Sequence, residues 1–149
     1  MKRAYKRRYW PLALWMIALV TGMIGSAELA ARAGLSGRGM TAASMTALLM
    51  MLMALFALIW KGEYVYWING GPDYDRAKAA GSEQRRAYAR RHFRAMLSGG
   101  LAAMVILAAE YCCGANEPTM ILSVGACVVA AAVSTTRIHW TGERKEKET

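Results

Sequence analysis

The stretch MTAASMTALLMMLMALFALIW, from Met40 to Trp60, decides the fold class of this chain, because its 21 consecutive residues include no charged side chain. A bilayer core of about 30 Å requires about 20 apolar residues in a helix that rises about 1.5 Å per residue. Lipid offers no hydrogen-bond partners to the backbone, so a helix is the expected form of such a segment. This stretch therefore predicts a transmembrane helix.

Three other apolar stretches have a similar length, running from about Pro11 to Ala31, from about Phe93 to Cys112 and from Pro118 to about Ile138. The sequence thus predicts an all-α integral membrane protein with four transmembrane helices in an antiparallel bundle, forming one domain over residues 1–149. The remaining segments are a basic N-terminus (1–10), a partly helical loop between helices 2 and 3 (61–92) and a charged C-terminal tail (139–149). In that loop, Asp73 and Ser82 are each expected to cap a helix.

The distribution of basic residues predicts the orientation. Of the 19 Lys and Arg residues, 17 lie in residues 1–10, in residues 61–94 or from Arg137 onwards, and the other two are Arg32 and Arg38. Because cytoplasmic loops carry an excess of Lys and Arg, both termini and the loop are expected in the cytoplasm, with the chain in a bacterial plasma membrane. Orientation accounts for most of the net charge of +9, so nucleic acid is not an expected partner.

A cleaved signal peptide is the competing interpretation of the first apolar stretch. A basic segment, an apolar run and Gly25-Ser26-Ala27 fit the pattern of a cleavage site. The apolar stretch continues beyond that site to Ala31, however, which favours a retained span.

The helix that leads into the third span carries five arginines: Arg85, Arg86, Arg90, Arg91 and Arg94. Basic residues next to a membrane attract anionic lipid by about 1 kcal/mol each near the surface. We expect these arginines to contact anionic lipid, such as phosphatidylglycerol or cardiolipin, or a protein partner or a second copy of the chain. The alternative is that their charge serves orientation alone.

Two carboxylates, Glu28 and Glu110, lie near the outer ends of the first and third spans and are candidates for an ion or proton site. Arg32 follows Glu28 by four residues, a spacing that favours a helical ion pair and a structural role.

The third cysteine, Cys127, lies too deep in the fourth span to form a disulfide with Cys112 or Cys113.

Small residues at intervals of four predict where the helices pack closely. They occur in the first span (Ala18, Gly22, Ser26, Ala30), the third (Gly99, Ala103) and the fourth (Ser123, Cys127, Ala131). The second span is rich in Leu and Met instead, so we expect it to face lipid or a partner more than the others do.

The chain has no recognisable catalytic motif, and neither a metal nor a cofactor is expected. The favoured interpretation is a small accessory or interaction subunit without catalytic activity, and the alternative is a transporter or channel subunit that uses Glu28 and Glu110. In length and number of spans the chain resembles the small multidrug resistance exporters, which implies an essential glutamate at membrane depth in the first span. Glu28 lies nearer the outer end, and the resemblance covers helix number and length only.

Overall fold

The computed structural model describes residues 5–140, which form five α-helices and one 3₁₀ turn, with no β-strand in this range. The helices are α1 (Trp10–Arg32), α2 (Gly37–Gly62), α3 (Tyr74–Ala79), α4 (Ser82–Cys112) and α5 (Glu117–Thr136), and the 3₁₀ turn is Val65–Trp67. Helices α1, α2, α4 and α5 are long and apolar enough to cross a membrane, which is the composition of a multi-pass membrane protein. The basic residues Lys2, Arg3, Arg144, Lys145 and Lys147 lie outside the described residues.

Polar side chains cap the N-termini of three of the helices. The side chains of Ser36, Asp73 and Asn116 each accept a hydrogen bond from a backbone N–H in the first turn that follows. The prediction for Asp73 is confirmed, whereas the prediction that Ser82 caps α4 was wrong. Gly81 has the extended backbone of the N-cap, and Ser82 is already helical, so its hydroxyl is available to another group.

Helix α2 lies at the centre of the molecule and packs against α1, α4 and α5. Leu49, in the middle of α2, is only 1% exposed. It belongs to a core whose other buried members are Ala103, Leu107, Met120 and Val124. The expectation that the second span faces lipid or a partner more than the other spans do was therefore wrong, because its long side chains fill the space between three helices of the same chain.

Small residues bring α4 and α5 together as expected. A Cβ placed on Gly99 would lie 2.5 Å from the Cβ of Ala131, and Ala103 is fully buried. The same expectation was wrong for much of α1, since Ala18 is exposed and a Cβ on Gly22 would meet nothing within 4 Å. Helices α1 and α2 are instead joined by a large side chain, since the indole N–H of Trp15 donates to the backbone carbonyl of Met51 at 2.9 Å.

A second core lies between the end of α2, α3 and the start of α4. Its buried members are Ile59, Val65, Ala77, Tyr88 and Ala89. Residues from both ends of the described chain, Tyr5 at one end and Ile138 and Trp140 at the other, pack against it. The segment between α2 and α4 is therefore a folded part of the molecule with its own apolar interior.

Candidate functional site

Glu63 terminates α2 and directs its carboxylate towards the beginning of α4. Its backbone is left-handed (φ 58°), and its N–H donates to the carbonyl of Ile59, which closes the last turn of the helix. A left-handed conformation costs about 1–2 kcal/mol for a residue with a Cβ. The side chain is nevertheless only 13% exposed, so its contacts must offset that cost.

Three side chains of α4 donate hydrogen bonds to the Glu63 carboxylate. Arg85 reaches Oε2 through Nε and Nη2, both at 2.9 Å, and Arg86 reaches Oε1 through Nε at 2.7 Å. The hydroxyl of Ser82 also donates to Oε1. Arg85 is 9% exposed and donates further to the carbonyls of Ala77, at 3.0 Å, and Ala80. Arg85 thus ties α2, the end of α3 and α4 together.

The ion pairs also decide the protonation state of Glu63. Burial alone would raise the pKa of its carboxyl, but the hydrogen bonds from Ser82, Arg85 and Arg86 outweigh burial and hold that pKa below the usual glutamate value. Glu63 is therefore ionised at neutral pH. Its charge neutralises one of the two neighbouring arginines, which leaves a net positive charge at this corner.

Six aromatic side chains surround this network and form what we name the aromatic cap: Tyr5, Tyr9, Tyr64, Tyr66, Trp67 and Tyr74. The ring of Tyr5 lies 4.1 Å from the Arg85 guanidinium carbon and stacks on the ring of Tyr74. The hydroxyl of Tyr5 donates to the backbone carbonyl of Glu63 at 2.7 Å, and burial raises the pKa of that phenol. The hydroxyl of Tyr66 donates to the backbone carbonyl of Arg8 at 2.9 Å. The aromatic cap therefore holds the N-terminal segment in contact with the loop between α2 and α4.

An open groove of about 560 Å³ adjoins the network on the outside of α4. It is lined by Trp60, Ser82, Glu83, Arg86, Ala87 and Arg90. Its volume is in the range of small-ligand sites in proteins. The ring of Trp60 stacks on that of Phe93, with centroids 5.3 Å apart. The lining therefore combines one aromatic side chain with two arginines.

The five arginines proposed to contact lipid do not share one environment. Arg85 is buried in the ion pair with Glu63, whereas Arg86, Arg90, Arg91 and Arg94 are exposed. Arg86 and Arg90 lie one helical turn apart and both line the groove. Arg94 follows one turn further along α4, and neither Arg91 nor Arg94 lines the groove.

Glu28 and Glu110 each have a partner of their own. Glu28 accepts a hydrogen bond from Arg32 at 3.0 Å, the helical ion pair that the spacing favours. Glu110 accepts a hydrogen bond from the hydroxyl of Ser123 at 2.7 Å. The helices that carry them both pack on α2, and α4 packs on α5 as well.

The three cysteines are free, with Cys112 and Cys113 exposed at the end of α4. Within residues 5–140 no group of three or more His, Cys, Asp or Glu side chains is placed to hold a metal ion. His92 is buried on α4, where its Nδ1 lies 3.1 Å from the carbonyl of Tyr88. The cysteines and His92 therefore do not form a second candidate binding site in the described part of the chain.

Comparison with known proteins finds no matching family model, no matching curated protein and no matching solved structure. The groove and the charges around it are therefore the basis for a functional proposal.

Proposed function

We propose that this chain is a small multi-pass membrane protein without catalytic activity, an accessory or interaction subunit whose basic loop contacts the phosphate groups of membrane lipid. Its four long helices cross the membrane as an antiparallel bundle, with both termini and the loop in the cytoplasm. The observation that carries the proposal is the pair of exposed arginines, Arg86 and Arg90, in an open groove beside Trp60.

Contacts at the two ends of the bundle support the arrangement of the helices. Tyr5, which precedes α1, contacts Glu63, which follows α2, so these two segments lie at one end. Arg38, at the start of α2, donates to the carbonyl of Tyr111 near the end of α4 at 2.7 Å. The 17 to 2 distribution of basic residues supports a cytoplasmic position for the end that holds the aromatic cap.

The chemistry of the groove supports lipid phosphate as the group that is bound. An arginine presents several N–H donors in a planar fork that matches a phosphate. Arg90 offers its whole fork, and Arg86, whose Nε is held by Glu63, offers its two Nη groups one turn away. Trp is enriched at membrane interfaces, where its amphipathic ring lies at the level of the headgroups. Exposed Arg91 and Arg94 add positive charge beside the groove, which favours anionic lipid such as phosphatidylglycerol or cardiolipin.

Native mass spectrometry of the detergent-purified protein tests this proposal with phosphatidylglycerol and cardiolipin as probes. Replacing Arg86 and Arg90 together by Lys keeps the charge but removes the planar fork, and we expect retained lipid to fall about threefold. Replacing both by Gln removes the charge as well, and we expect retention to fall by about tenfold.

The matched control removes the same two charges elsewhere in the loop, by replacing Arg76 and Lys78 on α3 with Gln. This control should retain lipid as the wild type does, since neither residue lines the groove. Equal retention by all of these variants would show that the arginines serve orientation alone. Loss of a co-purifying protein instead of lipid, confined to the groove variants, would show that the groove binds a protein partner.

The transport alternative depends on Glu28 and Glu110 acting together. It has less support, because a paired acid site requires the two carboxylates to approach each other, and each is bonded to a different partner.

A further inference from the structure

We propose that the groove recognises a phospholipid headgroup that carries a primary ammonium group as well as a phosphate, the chemistry of an ethanolamine phospholipid, and that Glu83 binds the ammonium. This inference rests on the proposed function, in which Arg86 and Arg90 hold the lipid phosphate. It adds a residue that determines which headgroup the groove accepts.

Glu83 is the acidic residue of the groove lining, and it is exposed. Opposite charges three or four residues apart on a helix are close enough to pair, and Arg86 follows Glu83 by three residues. The Nε of Arg86 is instead held by Glu63 at 2.7 Å. Among residues 5–140, Glu83 and Arg90 have neither a hydrogen bond nor an ion pair between side chains. The groove therefore presents positive and negative groups that do not neutralise each other.

The order of these groups along α4 matches the order of groups in a phospholipid. Phe93, stacked on Trp60, begins the apolar part of the helix, and the groove arginines come before it in sequence. Glu83 lies a further three residues from Arg86, about 4.5 Å along the axis. Moving away from the apolar part, a lipid would meet aromatic rings, then arginines at its phosphate, then a carboxylate at its headgroup.

The carboxylate discriminates among headgroups by charge and by hydrogen bonding. A primary ammonium has three N–H donors and can form a charge-assisted hydrogen bond with Glu83. A glycerol headgroup brings no positive charge to the carboxylate, and a trimethylammonium group brings charge without a donor. Trp60 is the one aromatic side chain among the residues that line the groove, so the groove has no aromatic cage of the kind that recognises quaternary ammonium groups. An anionic glycerol lipid is still held in the groove by its phosphate, but it lacks the contact with Glu83.

The experiment offers the purified protein an equimolar mixture of phosphatidylethanolamine, phosphatidylglycerol and phosphatidylcholine with identical acyl chains, and measures the bound lipids by native mass spectrometry. We expect the wild type to retain more phosphatidylethanolamine than either competitor. Glu83→Gln should lower the ratio of ethanolamine to glycerol lipid by about fivefold, as expected for one exposed charged contact. Asp75→Asn, which removes one exposed negative charge from the same loop outside the groove, should leave the ratio unchanged.

Equal retention of the three lipids by the wild type would overturn the inference, as would an equal change of the ratio in Glu83→Gln and Asp75→Asn. If Glu83→Gln leaves the ratio unchanged while the Gln variant of Arg86 and Arg90 loses lipid, the headgroup inference fails and the proposed function stands. If that arginine variant retains all three lipids, the proposed function fails and the headgroup inference fails with it.

Discussion

At Glu63, a left-handed backbone and a nearly buried carboxylate occur in the same residue. The carboxylate accepts hydrogen bonds from Ser82, Arg85 and Arg86, and the backbone carbonyl accepts one from Tyr5. Removing one partner of a buried ion pair leaves an uncompensated charge, which is more costly than losing an exposed pair. The position of Arg86 at the groove thus depends on a residue that does not line it.

Glu63→Gln is expected to destabilise the protein by about 3 kcal/mol at neutral pH, because Arg85 remains buried without its counter-charge. The pKa of Glu63 is lowered in the folded protein, so its stabilisation is complete above the ordinary glutamate pKa and is lost as the pH falls through the lower, folded value. The difference in Tm between wild type and Glu63→Gln should therefore shrink on acidification below the ordinary glutamate range.

Thermal unfolding in detergent at a series of pH values measures this difference. Asp75→Asn is the control, since Asp75 is exposed and its loss should change Tm little at any pH. A difference for Glu63→Gln that stays constant from neutral to strongly acidic pH would contradict the assignment of Glu63 as an ionised partner of Arg85.

At the scale of the element, α4 combines two functions in one helix of 31 residues. Its first turns carry Arg85, Arg86 and Arg90 and build the network and the groove. Its later turns are apolar and pack on α2 and α5, with Gly99 against Ala131 and Gly100 against Met53. The position of the groove therefore depends on close packing further along the same helix.

Gly99→Ala is expected to lower stability by about 1–3 kcal/mol, because the added methyl group would lie 2.5 Å from the Cβ of Ala131 and would force α4 and α5 apart. Gly22→Ala on α1 is the matched control. A Cβ there meets nothing within 4 Å, so the greater helix propensity of Ala should leave stability unchanged or raise it. Thermal unfolding of both variants in detergent measures the effects, and equal Tm values would contradict the close contact of α4 with α5.

At the scale of the whole molecule, contacts define two opposite ends. The aromatic cap, the groove and the N-terminal segment share one end through the hydrogen bonds of Tyr5 and Tyr66. The other end has Arg38 bonded to the carbonyl of Tyr111, close to the exposed Cys112 and Cys113. The proposed topology assigns the first end to the cytoplasm and the second to the outside.

A membrane-impermeant thiol reagent applied to intact cells tests this topology. In a chain with its other cysteines replaced by Ser, Cys113 should be labelled from outside, whereas a single Lys78→Cys should be labelled only after the membrane is opened. Lys78 is exposed on α3 and outside the groove, so this change should disturb neither the ion pairs nor lipid binding. Labelling of position 78 in intact cells would show that the loop lies outside the cell and would contradict the proposed orientation.

The four helices that are long and apolar enough to cross a membrane and the cap at Asp73 could be predicted from the sequence, because each depends on a local pattern of apolar length or capping chemistry. The central position of α2 could not, since Leu and Met suit lipid and a protein interior equally well. The arginines of α4 were identified as a group, but local spacing does not show that Arg85 turns inward to Glu63, 22 residues earlier. The roles of Trp60 and Glu83 in the groove likewise depend on tertiary packing.

The hydrogen bonds that the aromatic cap makes with the N-terminal segment impose an order on biogenesis. The hydroxyl of Tyr74 donates to the carbonyl of Tyr5, a residue made 69 positions earlier, so this contact has to wait for α1, α2 and much of the loop to be synthesised. At about 5–20 residues per second, that interval is roughly 3 to 14 s. During it, the backbone carbonyls of Tyr5 and Arg8 lack the hydrogen bonds that the hydroxyls of Tyr74 and Tyr66 donate to them in the folded protein. In the proposed topology, the cap closes only after α1 and α2 have been synthesised, and it then holds the segment before α1 beside the end of α2.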